Sequence, residues 1–177
     1  MTVHGLGTPV QEDAPLCPAA DPSSLAGANI NPVTGLSTDY LNHINEAVML
    51  LELLPQMPEC RADLAEWRPR TYVEHFAGSH FRQRDLAIAA YDLTDPRTRK
   101  QFDALCESMR ATALAACNAI QCDVPPQVAA LVAEQAAAIL KPLLARTSAV
   151  IHGFDAGVAE LDAAAESQAL VDAILNP

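Results

Sequence analysis

Basic side chains are scarce in this chain: 11 Lys and Arg stand against 22 Asp and Glu in 177 residues, a formal net charge of -11 at pH 7. Such a charge repels phosphate backbones unless the few arginines gather in one place, so nucleic acid is not an expected partner. Cysteine is sparse and unpatterned. Cys17, Cys60, Cys106, Cys117 and Cys122 include no CxxC pair, and their odd number leaves one over if the others pair. This favours reduced thiols in the cytoplasm over a secreted disulfide scaffold. The opening MTVHGLGTPVQEDAP lacks the basic stretch and the apolar run of a signal peptide. Segment 124–151 is long and apolar but is divided by Pro125, Pro126, Gln127, Glu134, Gln135, Lys141, Pro142 and Arg146. No membrane-length run survives, and no membrane partner is expected.

Catalytic signatures are lacking too. There is no GxSxG turn, no HExxH helix and no GxxxxGK[ST] loop, and Gly5 and Gly7 have no strand-loop-helix context. Ser79 and His80 are adjacent, so on a helix they diverge by about 100° and form no hydroxyl-base pair. Sustained alternation of apolar and polar residues is absent, which removes strands from consideration.

Helical signals are what remain. Residues 1–36, rich in Pro, Gly, Ala, Ser and Asn, read as a flexible or surface-wrapped arm. A helix opens at Ser37 or Thr38 and stops at Pro55, and a short one follows in PECRADLAEW, ending before Pro69. Thr71 with Glu74 forms a capping-box pattern that starts a helix expected to run to Tyr91. Asp95-Pro96 opens a fourth, the double proline at 125 and 126 precedes a fifth that Pro142 is expected to kink, and a last helix is expected over 158–175. With half the residues apolar, residues 37–177 have the makings of one all-α domain. The expected architecture is an antiparallel bundle of four long helices with one or two short additions.

The first of these helices carries an unusual polar run. Asp39, Asn42, His43 and Glu46 fall in one sector of about 100°, inside the most apolar helical segment of the chain. A buried carboxylate in that sector needs a hydrogen bond, a cation or a metal. Together with His75, Ser79 and Arg82 on the third helix, these residues are the candidate ligand or cofactor site. His43, Glu46, Glu74, His75, His80, His152 and Asp155 are the candidate ligands of a transition metal, because imidazole and carboxylate suit iron, manganese or zinc. A diiron carboxylate bundle would carry two Glu-x-x-His elements and two further glutamates; here His43-x-x-Glu46 is reversed and Glu74 and His75 are adjacent. His75, with Arg82 and Arg84 nearby, is also the least poor candidate for a phospho-accepting histidine.

A second candidate surface is Trp67, Arg68, Arg70 and Tyr72, where aromatic rings bracket arginines. The basic residues between Arg68 and Arg110 could gather into one positive patch for an acidic peptide or a small anion, although acids interrupt the run. The expected function is therefore non-enzymatic binding of a protein or small ligand, in regulation or assembly. The alternative is a metal-dependent helical enzyme. A homodimer is compatible with the alanine-rich fourth and fifth helices.

Overall fold

A computed structural model describes residues 21–120 and 123–154. The elements in order are α1 (Pro22–Gly27), a 3-10 turn (Thr38–Tyr40), α2 (Leu41–Leu53), α3 (Cys60–Glu66), α4 (Tyr72–Ala77), α5 (Arg84–Asp92), α6 (Pro96–Ala119) and α7 (Pro126–Ile151). The described residues contain no strand; an isolated bridge pairs Ile30 with Ser37. The helical class agrees with the sequence, but the count of four long helices does not. Among the described residues there are seven helices, five of them of seven residues or more, and the helix expected over 158–175 lies outside the described residues.

The main discrepancy is the helix expected from Thr71 to Tyr91, which is two helices. Thr71 caps α4 as its sequence implies, with Oγ1 accepting from the Glu74 amide at 3.2 Å and Glu74 Oε2 accepting from the Thr71 amide at 2.8 Å. Gly78 then ends the helix. Ser79 Oγ donates to the Phe76 carbonyl at 2.9 Å and accepts from the Phe81 amide at 3.2 Å. Glycine is costly in a helix interior, and a serine that bonds nearby backbone offers an alternative to the helical ladder. The chain restarts at Arg84.

The long helices α6 and α7 form the spine. Asp95 caps α6 by accepting from the Arg97 and Thr98 amides, and Pro96 occupies the first turn, where its missing N–H costs nothing. α7 packs along α6, and Thr147 Oγ1 meets Met109 Sδ at 3.8 Å. Alanines 113, 116, 129, 133, 136 and 137 are buried between helices, where small side chains allow close approach. α7 runs unbroken through Pro142. It is long and apolar enough to cross a membrane by length and composition, and it turns Leu140, Leu143, Val150 and Ile151 into the core.

α2 lies on α7 and α6, burying Ile44, Ala47, Val48 and Leu51, and Lys141 on α7 pairs with Glu52 on α2. The segment before α2 is anchored as well. Leu25, Ile30 and Leu36 are fully buried, and Thr34 Oγ1 donates to the Ile151 carbonyl at 2.7 Å. An aromatic cluster of Tyr40, Tyr72, Phe76, Tyr91 and Phe102 joins α4 and α5 to the spine, with Tyr72 stacked on Tyr91 at 4.8 Å between ring centres.

Candidate functional site

α2 and α3 are joined by turns at residues 54–59 and pack against each other, and the stretch after α3 returns to α2. Trp67 leaves α3 in an extended conformation, and Pro69 keeps the following residues from resuming a helix. The indole is thereby laid on α2. It stacks on the His43 imidazole with ring centres 4.9 Å apart and planes within 16°, and its Nε1 donates to the His43 carbonyl at 3.3 Å. The resulting groove has a volume of about 430 Å³ and is lined by His43, Glu46, Met49 and Leu50 from α2, Asp63 and Glu66 from α3, and Trp67, Arg68 and Arg70. Two clusters that the sequence kept apart, His43 with Glu46 and Trp67 with its arginines, thus share one site.

The charges of this groove are unequal. Glu46 lies 4.0 Å from His43 Nδ1, while Asp63 and Glu66 make no ion pair among the described residues. Arg68 is turned back on its own helix end, donating through Nη1 to the Ala65 and Trp67 carbonyls. Arg70 is exposed, and its carbonyl accepts from the Tyr40 hydroxyl at 2.9 Å. Nor do the other arginines gather: Arg84 sits by Asp85, Arg99 between Asp92 and Asp103, and Arg110 on Glu107.

Behind the Trp67 stack lies a second imidazole. His75 on α4 sits with its ring centre 5.9 Å from that of His43, tilted by 40°, and meets the Tyr40 ring edge-on at 5.7 Å. His43 is only 7 % exposed. Its Nε2 and the Nδ1 of His75 are buried with no hydrogen-bond partner. Burial pushes the His43 imidazolium down to about 4, helped by the nearby His75 and the positive Arg70 and opposed by the Arg68 backbone. His75 is lowered as well, by burial first and then by Arg70, with Asp39 acting in the other direction. Both rings are therefore neutral near pH 7, with nitrogen lone pairs to offer.

The remaining expected residues are placed elsewhere. Asp39 accepts from Asn29 Nδ2 at 3.0 Å, and Asn42 is exposed on α2. The Glu74 carboxylate serves the Thr71 cap, whose backbone and side-chain hydrogen bonds hold it below the usual carboxylate range. Ser79 bonds its own turn, and Arg82 and His80 are exposed beside it. His152 ends α7 with Nδ1 2.7 Å from the Ser148 carbonyl, in a different cavity lined by Asn29, Ile30 and Leu36. Asp155 lies outside the described residues. Tyr72 is a core residue, its hydroxyl accepting from the Ser37 amide at 3.0 Å, so it offers no recognition edge. Met49, Leu50, Asp63 and Glu66 complete the groove and were not singled out from sequence. The spacing of Asp63 and Glu66 along α3 puts both on one face, which is the signal that could have found them.

Among the described residues, no cluster of three or more His, Cys, Asp or Glu is arranged to hold a metal. Fold and site together describe an all-α bundle with a polar groove backed by two imidazoles, His43 buried and His75 half-buried. No protein family, no curated protein and no solved structure matches the chain in comparisons with each.

Proposed function

We propose that this protein acts by recognition, and that its groove binds a short segment of a partner protein carrying a lysine or arginine side chain. The observation that carries this reading is the imbalance within the groove. Glu46, Asp63 and Glu66 present carboxylates to it, while the Arg68 guanidinium is spent on backbone carbonyls. Met49, 52 % exposed, and Leu50 supply an apolar strip along which the aliphatic stem of a long basic side chain can lie while its charge reaches the acids. Arg70 stands at the other end and suits a carboxylate or carbonyl of the same segment, which would fix its direction. The volume falls within the ordinary range for ligand pockets. The chain's acidic balance adds long-range attraction for a basic partner.

Trp67 is the single tryptophan of the chain, so its fluorescence reports on the groove directly. Titration with short peptides rich in Lys or Arg and apolar residues is expected to give a saturable change that salt weakens. The double substitution Asp63→Lys with Glu66→Lys is expected to weaken binding by about tenfold or more at low salt, the scale of losing two charge contacts near a surface. Equal response to acidic and basic peptides, or none to either, would overturn the proposal.

A further inference from the structure

We infer that His43 Nε2 and His75 Nδ1 together hold a late first-row transition-metal ion, with the Glu46 carboxylate near the far side of the His43 ring. This is independent of what the groove binds. Its first support is that the two nitrogens are buried and have no partner. A buried polar atom left unpaired is costly, and two of them on neighbouring rings call for an occupant.

The second support is separation. An ion bonded at about 2.0 Å to one nitrogen of each imidazole places the ring centres roughly 5–6.5 Å apart, depending on the angle at the metal. The observed 5.9 Å lies inside that interval. The third is the arrangement on the far side of the His43 ring. Metal-bound histidines commonly have a carboxylate by their other nitrogen, which favours one tautomer. Glu46 lies 4.0 Å from His43 Nδ1, at ion-pair rather than hydrogen-bond distance, and its charge favours a proton there and a lone pair on Nε2.

The access route is the groove, which His43 lines. With two protein donors, the remaining coordination positions fall to water. Imidazole donors of this kind suit zinc and copper better than magnesium or calcium.

The test uses the full chain, stripped with a chelator and titrated separately with zinc(II) and, under reducing anaerobic conditions, with copper(I). The expected result is saturable binding of one ion per chain for at least one of the two metals. It should be accompanied by shifts in the imidazole nitrogen resonances of His43 and His75 and by none at His80 or His152. His43→Phe and His75→Phe preserve ring packing; each should abolish binding while leaving the helical circular dichroism intact, and Glu46→Gln should weaken it by a few-fold. The inference is overturned by any of three results: no saturable binding of either metal, binding that survives in both phenylalanine variants, or resonance shifts confined to the exposed histidines. Should a phenylalanine variant fail to fold, Glu46→Gln and the resonance assignment in the unaltered protein still decide the question.

Discussion

Burial of His43 couples the stability of this protein to pH. In the unfolded chain its imidazole takes up a proton near pH 6.5, whereas in the folded chain burial delays uptake to about pH 4. Between those values the unfolded state binds more protons than the folded one, so acidification favours unfolding. The stabilising effect is complete above pH 6.5, declines as the pH falls and levels off below 4. Its size is on the order of 2 kcal/mol. Urea denaturation of chelator-stripped protein at pH 7 and at pH 4.5 is expected to show this loss, and the same comparison on His43→Phe should show a loss smaller by about that amount. The lowered values of Glu74 and Asp95 act in the same direction at lower pH, so the variant is the informative control. That His43 is unusual was legible from sequence, because an imidazole and a carboxylate interrupt an apolar helix. Its environment was not. Trp67 covers the ring from 24 residues away, and no periodicity encodes such a contact.

At the scale of elements, the caps were the most readable feature. Asp95-Pro96 and Thr71 with Glu74 start α6 and α4 as their local chemistry requires, because a cap is settled within four residues. Asp95→Ala is expected to destabilise the protein by about 1 kcal/mol, the usual value of an N-cap side chain. Thermal or urea unfolding would measure it, and no change would mean that water replaces the carboxylate at the α6 amides. Helix length was less readable. The pattern from Thr71 to Tyr91 is helical in its apolar spacing, yet Gly78 and Ser79 divide it. The split matters for the site, since α4 as a separate short helix sets His75 beside Tyr40 and His43.

For the whole molecule, the telling feature is how the stretch before α2 is built into the core. Its composition reads as an arm, but Leu36 is fully buried and Thr34 is tied to the end of α7. Leu36→Ala should therefore cost about 2–5 kcal/mol, as for a leucine in any packed interior. A change under about 0.5 kcal/mol in urea denaturation would show that this stretch is peripheral to the core. The groove likewise belongs to the whole fold. α2 supplies four of its residues, α3 two and the following stretch three, and none of these segments forms a cavity alone.

Sequence by itself determined the all-helical class, the principal caps, the long α6 and α7 pair and the polar run on α2, since each follows from propensity, capping or spacing over a few residues. Tertiary structure decided which polar residues meet. It brought Trp67 onto His43, His75 to within 5.9 Å of it and Asp63 and Glu66 opposite Glu46, and it withdrew Tyr72 into the core. Helical periodicity fixes the face on which a side chain lies, whereas the neighbour across that face depends on the crossing of helices distant in sequence.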